Sequence, residues 1–213
     1  MFISNPLFMI FISLYYSINA NEIETFKECL IHNLQYSREY LYTSDDPNWP
    51  NQKTTYVKRN MFTYPLSKVN DYEKITWTLI PAKSPFEINR INYLIKSGKY
   101  ENEYVCAINE HEIFSKNRRI IMRMKLISHM IKTHLNCHWT IETKYSPKLN
   151  RTTHTFKNVL FDDEHVYAAS PFFSVGWYKR SVYLWSERTD LKLSSNKFKW
   201  MIDCSRGDYL ISK

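Results

Sequence analysis

Three basic dipeptides, Lys58-Arg59, Arg118-Arg119 and Lys179-Arg180, are the residues of this chain best suited to chemistry. A guanidinium fork binds a carboxylate, sulfate or phosphate through two parallel hydrogen bonds, and an ammonium attracts the same groups as a point charge. Lys116, Arg123 and Lys125 add charge around the second pair, and the whole chain has a formal net charge of +8. That balance favours acidic partners such as sulfated glycans, phospholipid headgroups or acidic proteins. Each pair is also matched by an earlier acid, Glu39, Glu103 and Glu164, so two uses compete. The second basic residue of each pair can be held by the acid of its own unit on an adjacent strand, which contributes little if exposed. The first member alternates to the opposite strand face. Lys58, Arg118 and Lys179, with Lys116, Arg123 and Lys125, are therefore the candidate ligand-binding cations.

Other reactive residues do not assemble into a recognisable site. His129, His134, Cys137 and His138 lie close in sequence, but their spacing matches no zinc pattern, so no metal is expected. Serine, histidine and aspartate occur without a nucleophile elbow. No catalytic residue and no cofactor is expected, and the chain reads as a non-enzyme. No nucleic-acid-binding module is present, and nucleic acid is not an expected partner.

The basic pairs belong to a threefold internal repeat. Phe26, Phe86 and Phe156 open three segments that pass through Glu39-Tyr40-Leu41, Glu103-Tyr104-Val105 and Glu164-His165-Val166 and close on Trp77-Thr78-Leu79, Trp139-Thr140-Ile141 and Trp200-Met201-Ile202. The Trp spacings are 62 and 61 residues, and the second basic residue precedes its Trp by 18, 20 and 20. Such a period specifies an architecture. Short runs rich in aromatic and branched residues, such as Met61–Tyr64 and Ser181–Trp185, are separated by turn-forming clusters such as Ser44–Asn48 and Ser194–Asn196. They predict strands of an all-β sandwich or barrel. Residues 120–131 have a helix-compatible period, but their place in the repeat predicts a strand running into a loop.

Residues 1–20 carry no charged side chain, hold an apolar run from Leu7 to Tyr16, and end on Ser17-Ile18-Asn19-Ala20. They predict a secretory signal cleaved after Ala20; the run is shorter than the roughly 20 residues a membrane span needs. Residues 21–213 form a single domain, with repeats at about 24–83, 84–144 and 154–204 and a linker at 145–153. No transmembrane segment is expected, the location is extracellular, and a monomer is expected. Hydrophobic residues make up 44% of the chain, too many for a disordered one. Cys29, Cys106, Cys137 and Cys204 are an even set behind a secretory signal, which predicts two disulfides in one of three connectivities. Asn150-Arg151-Thr152 is an N-glycosylation acceptor in the linker.

Three units of about 60 residues, each with roughly four short strands and a closing Trp-x-aliphatic, resemble the β-trefoil superfamily over Phe26–Cys204. The resemblance implies a six-stranded barrel capped by three hairpins, with the repeated Phe and Trp residues in its core. First and last strands of such a barrel are neighbours, which implies Cys29–Cys204. Cys106 takes the place of Tyr42 and Tyr167, and Cys137 that of Ile75 and Phe198, which implies Cys106–Cys137. The first bridge would contribute roughly 4 kcal/mol in the chain-entropy model. The Gln-x-Trp of ricin-type lectins is absent, since Ile75, Cys137 and Phe198 stand two residues before the three Trp residues. The rhythm is similar to that of the trefoil half of silkworm low-molecular-mass lipoproteins, but no helical domain precedes the first repeat and a lipid-carrying role does not carry over. No motif singles out the trefoil growth factors or protease inhibitors.

Taken together, the expected function is that of a secreted binding protein for an anionic extracellular glycan or protein. A protease inhibitor or receptor ligand acting through an exposed loop is the alternative, with Trp49 in Ser44–Lys53 and Phe172, Phe173 and Trp177 in Ser170–Tyr178 as contact candidates. A storage or structural protein of body fluid is a further alternative.

Overall fold

A computed structural model describes residues 25–48, 58–84, 86, 90–111, 118–123, 133–169, 179–186 and 195–205. Side chains at 46–48, 58, 110–111 and 118–123 are outside that description. The described chain is all-β. Its strands are β1 (Phe26–Asn33), β2 (Glu39–Asn48), β3 (Lys58–Pro65), β4 (Thr76–Lys83), β5 (Ile91–Ser97), β6 (Tyr104–His111), β7 (Arg118–Arg123), β8 (His138–Ser146), β9 (Arg151–Asn158), β10 (Glu164–Ala168), β11 (Arg180–Ser186) and β12 (Trp200–Asp203). No helix among the described residues is long and apolar enough to cross a membrane. The strand expected at the start of 120–131 is present as β7, and residues 124–132 are outside the described set.

The pairings close on themselves. β1 pairs with β4, β4 with β5, β5 with β8, β8 with β9, β9 with β12, and β12 with β1 again. The hairpins β2–β3, β6–β7 and β10–β11 stand on this closed barrel, and β3, β7 and β11 pair with one another. Among the described residues, closure gives each of the six barrel strands a partner on both sides.

Alternation along the strands puts one face of each into the barrel. Trp77, Trp139 and Trp200 are each 0% exposed. Each indole N–H donates to the carbonyl of the residue two after a repeated glutamate: Leu41 at 3.1 Å, Val105 at 2.8 Å and Val166 at 3.1 Å. A buried indole needs such an acceptor, and the repeat supplies it three times.

The expected phenylalanine triad needs correction. Phe26 and Phe156 are buried, but Phe86 is 69% exposed. The Trp registers explain this: Cys29 faces Trp77, Tyr93 faces Trp139, and His154 faces Trp200. Two residues further on in each case stand Ile31, Ile95 and Phe156, all buried. Ile95, not Phe86, therefore fills the second core position, and Phe86 precedes β5 altogether. The unequal phenylalanine spacings of 60 and 70 residues carried the warning, because the tryptophan spacings were even.

Both expected disulfides are present, Cys29–Cys204 and Cys106–Cys137. Small clusters under the hairpins explain the second. Tyr42 packs with Phe62 and Ile75, and Tyr167 with Tyr183 and Phe198, its ring 5.1 Å from that of Phe198. At the equivalent place in the middle repeat, Cys106 and Cys137 sit with Leu94 and Tyr104. A covalent bond replaces the packing of a large side chain. Residues 145–153, read from the sequence as a linker, instead form the end of β8, a turn, and the start of β9. The third repeat thus begins inside a continuous hairpin.

Candidate functional site

The two repeated arginines whose side chains are described, Arg59 and Arg180, meet the acid of another unit and not of their own; the Arg119 side chain is outside the described residues. Arg59 of the first repeat reaches Glu103 of the second, its Nε donating to both carboxylate oxygens at 3.2 and 3.0 Å. Arg180 of the third repeat reaches Glu39 of the first, with both distances 2.8 Å. Each guanidinium also lies over a ring, Tyr100 at 3.7 Å and Tyr36 at 3.9 Å from the centroid. The turns that place these rings are equivalent. Glu39, Glu103 and Glu164 donate their backbone N–H to the carbonyls of Tyr36, Tyr100 and Phe161. Sequence reasoning found the charges but missed this aromatic, three residues before each glutamate.

These junctions are structural. Glu103 is 2% exposed; burial pushes its carboxyl upward in pKa, against the pull of the Arg59 guanidinium. Asp45 joins the first junction: it accepts from Tyr100 Oη at 2.6 Å and from Lys74 Nζ, and the bond from Lys74 is the main reason its pKa is lowered. Burial, followed by the Asp45 hydrogen bond, pushes the Tyr100 phenol up.

The candidate cations fare differently from one another. Lys179 is half-buried, with its ammonium 5.7 Å from the Tyr42 ring centroid, 5.8 Å from that of Phe62 and 5.9 Å from that of Tyr64. It is therefore drawn onto an aromatic surface. Lys58, Arg118 and Arg123 lie on β3 and β7, which are neighbours, but their side chains are outside the described residues. Lys116, Lys125, Trp49, Phe172, Phe173, Trp177 and residues 1–20 are also outside them. Asn150 is exposed in the β8–β9 turn at φ 49°, and its side-chain oxygen accepts from Tyr145 Oη. Of the histidine cluster, Cys137 is disulfide-bonded, His138 is buried, and His129 is outside the described set.

Exposed cations gather instead on the β8–β9 hairpin. Lys144, Lys148 and Arg151 are all exposed, with Tyr145 and Leu149 between them. Residues 144–151 contain no acid, and these three cations make no ion pair among the described residues. No repeat marks them, so the sequence reading passed over them.

Two grooves occupy equivalent positions on the barrel wall. One, of about 560 Å³, is lined by Lys27, Glu28, Glu73, Thr76, Thr78 and Gly98, among others. The other, of about 420 Å³, is lined by Phe86, Arg90, Asn92, Thr140, Lys157 and Asp162, with Ser84 and Leu160 at its edge. Equivalence follows from register: Thr78 faces Lys96 as Thr140 faces Lys157, and Glu28 and Asn92 each stand three residues before the inward Ile31 and Ile95. Glu28 lies in a strand irregularity at φ 53° and accepts from Ser205 Oγ at 2.6 Å. Asn92 is 1% exposed; Thr140 Oγ1 donates to its Oδ1 at 3.1 Å, and its Nδ2 has no partner.

No family model matches the chain, and no curated protein does. Solved structures do. The chain is similar to a Caenorhabditis elegans protein described as having unknown function, with TM-score 0.55 and 10% identity over 86% of this chain and 97% of that one. A similar match is the SDF2-like protein of Arabidopsis thaliana, with TM-score 0.55 and 10% identity over 84% and 93%. The S. cerevisiae protein O-mannosyltransferase Pmt1–Pmt2 complex, solved with its sugar donor, matches with TM-score 0.58 and 11% identity over 84% of this chain but 24% of that one, so the chain spans about a quarter of it. At such identities the likeness is one of fold: a closed, all-β barrel shared with proteins of different kinds.

Proposed function

We propose that the chain is a secreted, non-enzymatic β-trefoil protein that binds an anionic extracellular ligand. The circuit of six strands, the three mutually paired hairpins and the threefold Trp bonds support the trefoil reading. The charge-free leader and the two disulfides support an extracellular place of action. The ligand reading rests on one observation, the acid-free run of exposed cations Lys144, Lys148 and Arg151 on the β8–β9 hairpin. Arg59 and Arg180 are consumed by internal carboxylates, whereas these three face solvent and are available to steer an anion.

Retention on immobilised heparin tests the reading. The mature protein, made without glycosylation, should elute well above 0.15 M salt, where exposed charges act over only about 8 Å. The triple variant Lys144→Gln/Lys148→Gln/Arg151→Gln should elute markedly earlier. Low-salt elution of the unaltered protein would defeat the anionic-ligand reading.

A further inference from the structure

We propose that the groove between β5, β8 and β9 binds one acidic sugar residue of an extracellular glycan, an inference that rests on the anionic-ligand reading. Among the residues that line it is a buried polar group without a partner. Asn92 lines the groove at 1% exposure, with its Oδ1 engaged by Thr140 and its Nδ2 unmatched. A buried N–H without an acceptor is unfavourable, and native structures rarely leave one so. A ligand oxygen seated against Asn92 removes that cost.

The walls restrict the ligand further. Phe86 is 69% and Leu160 51% exposed, two large apolar side chains at the rim of one groove. Lys157 and Arg90 line it alongside one acid, Asp162. An aromatic face accepts the C–H face of a pyranose ring, the amide and Asp162 pair with hydroxyls, and Lys157 favours a carboxylate or sulfate substituent. A free inorganic anion would leave Phe86 and Leu160 unused, and an aliphatic chain would leave Asn92 unmatched. A hydroxylated ring with one negative group engages every wall. The volume of about 420 Å³ lies within the usual span of small-ligand sites, about 300–1,000 Å³.

Calorimetric titration of the unglycosylated protein with a heparin-derived tetrasaccharide, the neutral cellotetraose and sodium sulfate tests the assignment. The sulfated tetrasaccharide should bind best. Phe86→Ser, an exposed change that leaves the core intact, and Lys157→Gln should each weaken it at least tenfold. Asn92→Ser should do the same, and the Asn92 side-chain NH₂ resonances should move on titration of the unaltered protein. Cellotetraose or sulfate binding as tightly as the sulfated tetrasaccharide would overturn the proposal. If Phe86→Ser and Lys157→Gln bind within twofold of the unaltered protein while the Lys144/Lys148/Arg151 variant loses binding, the groove assignment falls and the anionic-ligand reading stands. Absence of binding to any sulfated glycan defeats both.

Discussion

The two equivalent grooves share a frame and differ in chemistry. On the β1–β4 wall, Glu28 takes the place that Asn92 holds on the β5–β8 wall, and Glu73 adds a second acid. An anion approaching the first groove meets two carboxylates and Lys27, while at the second it meets an unmatched amide, Lys157 and Arg90, with the single acid Asp162. The third equivalent position is Thr153, whose hydroxyl donates to Lys144 O at 3.1 Å and is satisfied within the hairpin. Repetition therefore conserves the tryptophans inside the barrel and, at the two described junctions, the acid–arginine pairs that join the hairpins. Recognition is assigned to the residues that repetition does not constrain.

The largest expected effect concerns the third position. His154, beside Thr153, is 4% exposed, and burial lowers its pKa to about 4, against the attraction of Asp203. A base held neutral by the fold but free to protonate near pH 6.5 when unfolded stabilises the fold fully above that pH. The contribution is lost as pH falls from 6.5 towards 4, up to roughly 3 kcal/mol. Urea unfolding at pH 7 and pH 4.5 should show the loss, and His154→Phe should reduce the pH dependence; an unchanged slope would show that burial of His154 is not its source.

Next comes the frame of the grooves. Asn158 is 0% exposed; its Nδ2 donates to Asn136 O and, at 3.4 Å, to His138 O, while its Oδ1 accepts from the Leu160 and Phe161 N–H groups. Ser97 holds the same turn beside the acidic groove with only its Oγ, accepting from the Lys99 and Tyr100 N–H groups. Asn158→Ala should cost about 2–3 kcal/mol and Ser97→Ala about 1 kcal/mol in denaturant unfolding. Equal costs would mean the two frames are not the unequal supports described. Gly98, in the acidic groove, is bound to a similar cost. A Cβ there would meet Thr76 Oγ1 at 2.5 Å and Thr76 O at 2.9 Å. Gly98→Ala should lower stability by about 1–2 kcal/mol.

The smallest effect is the most direct test of the contrast. Glu28→Asn places the amide of the second groove in the first, at a positive φ that asparagine tolerates better than glutamate. Stability should change by no more than about 0.5 kcal/mol. Retention on heparin should rise slightly. A fall would show that Glu28 is not what separates the two surfaces.

Legibility in the sequence followed the same division. The tryptophans were visible because their spacing is nearly constant and their environment repeats, and so were both disulfides. Phe86 misled because a residue type was matched where a register was needed: Ile95 does the same job with a different side chain. Glu39, Glu103, Arg59 and Arg180 were seen as pairs, but a linear reading joins neighbours within a unit, whereas the pairing of β3, β7 and β11 with one another brings the next unit nearer. The Tyr36, Tyr100 and Phe161 turns were readable in principle, three residues before each glutamate. The grooves were not, because Asn92, Thr140 and Lys157 come from three strands that meet only after pairing, and an unmatched amide has no sequence pattern.

The junction between Arg180 and Glu39 has a consequence for the molecule as a single object. It ties the last unit to the first, alongside the β1–β12 ladder and the Cys29–Cys204 bridge. The described residues thus form a ring, with the last unit fastened to the first. A protease that cuts one hairpin loop would leave both fragments clasped, and new termini could be opened at such a loop with the old ones joined. Such survival after nicking comes from wiring and not from the strength of any one contact.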